Sequence, residues 1–528
     1  MELDPDTCYK AVASHDRRFD GRFFVGVSST GVYCRPICAV RTPKRENCSF
    51  YESAAAAEKN GFRPCLRCRP ELAPGHGLAD ISGRLAQAAA TLIDEGFMTG
   101  AGVMQLAARI GVTERHLRRL FDAEFGVSVH EYAQTQKLLL AKRLLTDTTL
   151  PVTDVALASG FGSVRRFHDV LKARYGLTPL AMRRRAADGM ADCLVFELGY
   201  RPPLAWPALL EFLAVRAVEG IDHCQDGIYT RSMAIDAGGR RHLGWVRLEH
   251  VPKRTVVRVT LSGSLAHGIP QALGKVRRLC DLGCRPDVVD AHLGELAAQT
   301  PGMRLPGTFD GLEIAVRAIV GQVISVVQAR RILARLVRIA GEPLPAAALA
   351  GLALPAGASA PSHVFPTAQA LAALPDADYQ ATGVPMARIR AIRALAREVA
   401  AGNIRLDPLA APEDTVARLR AIDGIGDWTA QYVAMRALGW PDAFPATDYA
   451  LRKVLGVTTV RAMHAATAQW APWRAYAAIH LWHRYEVLKG GGADKGAGKG
   501  EGKSPTGPQD EAKDEPKAQD ADFEEATA

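Results

Sequence analysis

Four cysteines in two close pairs constrain the fold of this chain more than any other feature of its sequence. Cys34 and Cys38 lie in Y-C-R-P-I-C, and Cys65 and Cys68 form a C-x-x-C within F-R-P-C-L-R-C. Two such pairs joined by a longer loop can supply the four thiolates of a tetrahedral Zn²⁺ site. The pattern therefore predicts a small α+β domain built around one zinc ion.

The chemistry of such a site leaves two interpretations open. Zinc held by four thiolates can be a purely structural clip. Alternatively, one solvent-facing thiolate can stay strongly nucleophilic, because the site carries net negative charge. Basic residues crowd the cysteines and would suit a site pressed against phosphate groups; they are Arg35, Arg41, Lys44, Arg45, Arg63, Arg67 and Arg69.

The chain is 528 residues long, which is too long for a single hydrophobic core. Composition and hydrophobic periodicity divide it into five segments. We predict a zinc domain at 1–75, an all-α DNA-binding domain at 76–187, an α+β domain with an antiparallel sheet at 191–300, an all-α helix-hairpin-helix domain at 301–489 and a disordered tail at 490–528.

The charge and the apolar stretches indicate where the protein works. The formal net charge of +9 favours a polyanionic partner, because neutralising phosphates releases counterions. Residues 1–10 have no apolar core typical of a signal peptide. The most apolar stretch is interrupted by Pro345, Pro355 and Pro361, which argues against a membrane span. We therefore expect a cytoplasmic protein without a membrane span. Charge alone does not separate DNA from RNA or from an anionic membrane surface, and double-stranded DNA is the partner expected from the motifs described below.

Two segments of the second domain share a helix-turn-helix pattern. Residues 106–121 and 154–172 each place an alanine four residues before a glycine, which allows close helix approach and a tight turn. A generic helical hairpin is the alternative to DNA binding. The helices after the turns carry cations that would face the major groove or flanking phosphates, namely Arg115, Arg118, Arg119, Arg165 and Arg166.

The fourth domain contains L-R-A-I-D-G-I-G-D-W-T-A-Q-Y at residues 419–432. Gly424 and Gly426 would let the backbone and a helix N-terminus approach a phosphate. This helix-hairpin-helix pattern alone predicts only non-specific duplex binding. Asp448 follows in F-P-A-T-D-Y, where it can be a helix N-cap or a carboxylate that stabilises a developing sugar cation.

The first domain resembles the N-terminal domain of Ada adaptive-response regulators. The matching motifs are V-G-V-S-S-T-G-V-Y-C-R-P-I-C, R-E-N-C-S-F-Y and G-F-R-P-C-L-R-C-R-P. The resemblance implies that Cys34 takes a methyl group from DNA methylphosphotriesters while Cys38, Cys65 and Cys68 complete the zinc shell. It favours the methyl acceptor over the structural clip. The P-C-H-R motif of the family's O6-alkylguanine methyltransferase domain occurs nowhere in the sequence.

The second domain, which ends in Y-G-L-T-P at residues 175–179, resembles the AraC-type DNA-binding domain. In Ada regulators this domain follows the zinc module, which is the order found here. The resemblance implies a transcriptional activator that binds promoter DNA and works with RNA polymerase.

Residues 195–488 resemble 3-methyladenine DNA glycosylase II of the AlkA type. The matching motifs are G-Y-R-P-P-L-A-W, Y-T-R-S, R-A-I-V-G-Q-V-I-S-V, the G-I-G hairpin and W-R-A-Y-A-A-I-H-L-W. The resemblance implies a catalytic role for Asp448 and a wedge role for Val323. It also implies a base pocket lined by Phe212, Trp428, Tyr432 and Trp482.

Bifunctional relatives use a lysine near the hairpin to cleave the strand, and Trp428 stands in its place. We therefore expect a glycosylase without lyase activity, fused to an alkylation-responsive activator. The alternative is a regulator whose C-terminal half only binds DNA.

Overall fold

The computed structural model describes residues 4–75, 84–99, 101–183, 192–355 and 357–496. Within these ranges, a small sheet, a helical region, a larger antiparallel sheet and a second helical region follow one another along the chain. This succession confirms the predicted multidomain fold class.

The first region is a four-stranded sheet in the order β3-β1-β2-β4, with β4 parallel to β2 and the other pairs antiparallel. Gly31 has a φ of 62° and forms the turn between β1 and β2, a conformation that glycine adopts without strain. The elements are α1 (Pro5–Ala13), β1 (Phe24–Val27), β2 (Val32–Cys34), β3 (Cys48–Tyr51), α2 (Ala54–Lys59) and β4 (Arg63–Pro64).

The second region holds the two predicted helix-turn-helix motifs, α4–α5 and α7–α8, joined by the long helix α6. Ala107 and Ala156 are buried where the paired helices meet, and Gly111 and Gly160 have positive φ in the turns, as predicted. The elements are α3 (Arg84–Asp94), α4 (Val103–Ile110), α5 (Glu114–Phe125), α6 (Val129–Asp147), α7 (Val152–Ala158), α8 (Val164–Tyr175) and α9 (Pro179–Met182).

The third region is a five-stranded antiparallel sheet in the order β5-β9-β8-β7-β6. Strand β9 is rich in β-branched residues and buries Val257, Val259 and Leu261 on one face. The elements are β5 (Cys193–Gly199), α10 (Trp206–Val215), β6 (Asp222–Gln225), β7 (Ile228–Ala237), β8 (Arg240–Val251), β9 (Val256–Ser262) and α11 (Ile269–Leu279).

The fourth region is helical apart from one short strand pair, and its helices enclose a large apolar core. Helices α12 and α13 precede residue 300 in the chain yet pack into this core. The elements are α12 (Pro286–Leu293), α13 (Glu295–Ala298), α14 (Gly311–Val320), α15 (Val326–Ala340), β10 (Glu342–Pro343), β11 (His363–Val364), α16 (Ala368–Ala373), α17 (Asp376–Thr382), α18 (Met386–Ala400), α19 (Pro412–Arg420), α20 (Asp427–Arg436), α21 (Tyr449–Leu455), α22 (Val460–Thr467) and α23 (Arg474–Gly496).

The second helix-turn-helix motif packs on the larger sheet. Side chains of α6, α7 and α8 share one apolar core with those of the sheet, including Leu144, Phe167 and Phe196. The buried Arg143 of α6 donates a hydrogen bond to the Glu197 carbonyl of β5, and its guanidinium lies 5.0 Å from the centroid of the Phe196 ring. The DNA-binding and α+β regions are therefore packed together.

The last helix continues to Gly496, past the predicted boundary at residue 489. Residues 497–528, where most of the predicted disordered tail falls, lie outside the described residues. In the described ranges, every helix is too short or too polar to cross a lipid bilayer.

Candidate functional site

The four cysteines of the first region converge on one point. Their Sγ atoms lie within 4.8 Å of one another, and the three most buried are Cys34, Cys38 and Cys65. Cys34 is therefore not the solvent-facing thiolate that the sequence suggested for a nucleophile. The backbone N–H of Arg35 donates to Cys68 Sγ over 3.3 Å, and that of Arg67 donates to Cys65 Sγ over 3.4 Å. Four converging thiol groups with backbone donors suit tetrahedral Zn²⁺.

Arg35 and Arg69 were expected to face DNA phosphates, but both pair with carboxylates of the protein, so the prediction is wrong for these two residues. The Arg35 Nε atom donates to Asp20 over 2.8 Å, and both side chains are buried. Arg69 pairs with Glu71 and with Asp147 of α6, at 3.0 and 2.7 Å. These arginines hold the zinc region together and join it to α6. The exposed cations near the cluster are Arg41, Lys44 and Arg67.

A buried carboxylate joins the zinc region to α6 and to the second helix-turn-helix motif. Glu58 of α2 accepts hydrogen bonds from the hydroxyls of Tyr33, Thr135 and Tyr175, at 3.1, 3.0 and 2.9 Å. Burial raises the pKa of Glu58 to about 7, although the three hydroxyl donors oppose the shift. Tyr33 directly precedes Cys34, so this contact lies one residue from the predicted methyl acceptor.

The predicted DNA-binding cations of the two helix-turn-helix motifs are on the surface. Arg118 forms a 2.5 Å ion pair with Glu114 one turn earlier. All five side chains are exposed on α5 or α8, as contact with DNA requires: Arg115, Arg118, Arg119, Arg165 and Arg166.

The predicted hairpin links α19 to α20. Gly424 has a φ of 85°, a backbone conformation that favours glycine. A Cβ at this position would also lie only 3.1 Å from Cβ of Ala391 in α18, so any larger residue would crowd that helix. Gly426 is exposed at the start of α20, where no side chain caps the first N–H groups. Those N–H groups can bind an anion.

Asp448 is a helix cap, as one interpretation of its motif predicted, and its carboxylate also contacts an aromatic cluster. Its Oδ1 atom accepts from the Leu451 N–H over 3.0 Å and caps α21. The indole N–H of Trp428 donates to Oδ2 over 2.8 Å, and that of Trp482 donates to Oδ1 over 3.1 Å. Three N–H donors thus fix the orientation of a half-buried carboxylate.

The four predicted pocket aromatics form one cluster beside Asp448. Trp428 and Tyr432 lie one turn apart on α20, and their rings stack at 5.1 Å with an interplanar angle of 7°. Trp482 of α23 lies 6.0 Å from Tyr432 and 6.4 Å from Phe212 of α10, measured between ring centroids. Three separate helices therefore build the site.

Two arginines that the sequence did not indicate lie over the Phe212 ring. The guanidinium groups of Arg216 and Arg436 are 3.9 and 4.8 Å from the centroid of the Phe212 ring. Arg436 donates to the Tyr432 hydroxyl over 2.8 Å and is buried. Burial opposes ionisation of Tyr432, but the two cations outweigh it and lower the pKa of that phenol. Arg436 follows Tyr432 by one turn, which is the only signal in the sequence that could have located it.

Val323 projects from the loop between α14 and α15. Its side chain is 99% exposed, and its φ is 56°, a left-handed conformation that branched side chains rarely adopt. Gln322 beside it contacts the hairpin, where its Nε2 atom donates to the Gly424 carbonyl over 3.1 Å. The predicted wedge residue therefore lies on a loop that is bonded to the predicted phosphate-binding turn.

The sequence matches known proteins along most of its length. Residues 7–71 match the family described as the metal binding domain of Ada, 106–185 a helix-turn-helix domain and 195–310 the AlkA N-terminal domain. The chain is 37% identical over 502 residues to the probable bifunctional transcriptional activator/DNA repair enzyme AlkA of Mycobacterium tuberculosis, covering 92% of this chain and 97% of that protein. The chain belongs to this family of AlkA fusion proteins.

Two further relatives correspond to its halves. DNA-3-methyladenine glycosylase 2 of Escherichia coli is 33% identical over 290 residues, which are 55% of this chain and 97% of that protein. The bifunctional transcriptional activator/DNA repair enzyme AdaA of Bacillus subtilis is 29% identical over 185 residues, 35% of this chain and 84% of that protein. The chain thus combines a zinc-binding regulator with a DNA repair enzyme, as the resemblances implied.

Proposed function

We propose that the C-terminal half hydrolyses the N-glycosidic bond of alkylated bases such as 3-methyladenine in double-stranded DNA and leaves an abasic site. The observation that carries this proposal is the position of Asp448, whose two carboxylate oxygens are held by the indoles of Trp428 and Trp482. A fixed carboxylate beside aromatic faces suits a reaction that expels an electron-poor base from a sugar.

The DNA is held and opened by the neighbouring turns. The N–H groups at the start of α20 bind a backbone phosphate, and Val323 fills the space that the extruded base leaves in the duplex. The alkylated base then stacks among Phe212, Trp428, Tyr432 and Trp482, and the indole faces of Trp428 and Trp482 favour bases that carry positive charge.

Bond cleavage separates the base from C1′ of the deoxyribose, and the base leaves with the electron pair of the bond. Positive charge develops on the sugar, and the Asp448 carboxylate stabilises it. Water then adds to C1′ and loses a proton, which leaves the abasic sugar. No strand cleavage follows, because Trp428 takes the place of the lysine that lyases use.

Release of free base from alkylated duplex DNA tests this proposal. A protein that only binds DNA would retain the duplex without releasing base, and that result would replace our proposal with the binding-only alternative.

For the N-terminal half we propose that Cys34 accepts a methyl group from a DNA methylphosphotriester. Cys34, Cys38, Cys65 and Cys68 would hold Zn²⁺, which would keep the Cys34 thiol ionised. The Cys34 thiolate would attack the methyl carbon, the methyl carbon–oxygen bond would break, and the phosphate oxygen would keep the electron pair. Cys34 would become a neutral thioether, so the four-cysteine site would lose one negative charge. The convergence of four cysteine Sγ atoms supports this proposal.

The loss of negative charge would strengthen binding to phosphates and so raise affinity for promoter DNA. We therefore propose that methylation switches the chain into an activator that works with RNA polymerase in the cytoplasm. Mass spectrometry after incubation with methylphosphotriester DNA provides the test. One added methyl on Cys34 supports the proposal, and an unmodified Cys34 would leave a structural zinc clip.

A further inference from the structure

The loop that carries Val323 is hydrogen-bonded both to α18 and to the hairpin between α19 and α20. On one side, Arg388 of α18 donates from Nη1 to the Val320 carbonyl over 3.2 Å and from Nη2 to the Gln322 carbonyl. These two carbonyls lie at the end of α14 and immediately before Val323. One guanidinium group therefore fixes the backbone from which Val323 projects.

On the other side, the loop is bonded to the hairpin. Gln322 donates from Nε2 to the Gly424 carbonyl over 3.1 Å and to the hydroxyl of Thr429 over 3.0 Å. Thr429 is buried in the first turn of α20. Helix α18 also contacts the hairpin directly, because Ala391 packs against Gly424. The wedge loop, α18 and the hairpin thus contact one another pairwise.

We propose that Arg388 and Gln322 are positioning residues for base extrusion. They hold Val323 in its projecting left-handed conformation and fix its distance from the phosphate-binding turn. This inference rests on the proposed wedge role of Val323. A wedge that is ordered before DNA arrives loses less conformational entropy on binding, so a larger share of the contact free energy drives extrusion.

The chemistry of the arginine side chain explains why this position needs it. A guanidinium group is a rigid fork that donates to two carbonyls at once, whereas a lysine ammonium is a single flexible point. We therefore expect Arg388→Lys to restore part of the function that Arg388→Met removes.

The test uses the full-length chain and a duplex that contains one alkylated base beside a fluorescent base analogue. Fluorescence reports extrusion, and single-turnover release of base reports chemistry separately. We expect Arg388→Met to slow extrusion about tenfold, because it removes the two hydrogen bonds to the Val320 and Gln322 carbonyls. Val323→Gly should slow extrusion at least as much, because it removes the side chain that would fill the space left by the base. Zinc content should be unchanged in both variants. Arg393→Met is the matched control, since Arg393 also lies on α18 but donates to the Leu374 carbonyl and Asp376. It should leave extrusion unchanged.

The double variant decides whether Arg388 acts through Val323. If it does, Val323→Gly with Arg388→Met slows extrusion no more than Val323→Gly alone. Multiplied effects would overturn the inference and leave the wedge role intact. Normal extrusion by Val323→Gly would overturn both. Extrusion that follows the expected pattern without base release would overturn the proposed hydrolysis but support the positioning role.

Discussion

The indole N–H of Trp428 donates to Oδ2 of Asp448 over 2.8 Å, which joins the first turn of α20 to the cap of α21. The same tryptophan stacks on Tyr432. One side chain therefore contacts the carboxylate and forms part of the aromatic cluster that we propose binds the base. A shift of Trp428 would disturb both contacts.

The two indole donors can be removed without removing the rings. Trp428→Phe and Trp482→Phe each delete one N–H bond to Asp448 and keep an aromatic face. A hydrogen bond to a charged group contributes about 1.5–3 kcal/mol, so we expect each variant to release base at least about tenfold more slowly in single turnover. Duplex affinity should change little. An unchanged rate would show that the indole bonds do not orient the carboxylate.

Zinc removal should abolish methyl uptake at Cys34. Without the metal, a free thiol is mostly protonated at neutral pH and is a poor nucleophile. We expect the chelated chain, and Cys38→Ala, to contain no zinc and to gain no methyl group by mass spectrometry. Cys48→Ala is the matched control, because this buried thiol donates to the Lys44 carbonyl and lies outside the cluster. Methyl uptake by the metal-free chain would contradict the zinc-thiolate mechanism.

The contact around Glu58 should weaken as pH rises. The pKa of Glu58 is about 7 in the folded protein against an ordinary value of 4.5, chiefly because of burial. The stabilisation is therefore fully present below pH 4.5 and is lost as pH rises to about 7, which amounts to about 3 kcal/mol. Hydrogen exchange of α2 and α8, corrected for intrinsic rates, measures this loss between pH 5 and pH 8.

Glu58→Gln isolates that carboxylate from other titrating groups. The amide keeps hydrogen-bonding atoms near the hydroxyls of Tyr33, Thr135 and Tyr175 but does not ionise. The exchange protection of α2 and α8 should then become nearly independent of pH in this window. The same pH dependence in the variant and in the wild type would assign the effect to another group.

The sequence predicted those parts of the site that depend on short motifs. The cysteine pairs, the G-I-G turn and Asp448 occupy their expected structural contexts, because each motif determines its local backbone. The resemblance to AlkA-type glycosylases named Trp428 and Tyr432 together, and their rings stack one turn apart on α20.

The remaining contacts join residues that are distant in the sequence. Arg388 bonds the carbonyl of Gln322 across 66 positions, and Tyr175 bonds Glu58 across 117. No motif in the sequence indicated that Arg35 would be buried against Asp20 instead of facing DNA. A charged residue next to a motif indicates its chemistry, but only the tertiary fold determines its partner.

The most direct test of the account is single-turnover base release by Asp448→Asn. Asparagine caps helices as well as aspartate does, so the variant should retain α21 and bind alkylated duplex with unchanged affinity. Loss of the carboxylate charge should slow release about 100-fold or more. Release at the wild-type rate would contradict the assignment of Asp448 as the group that stabilises the sugar cation.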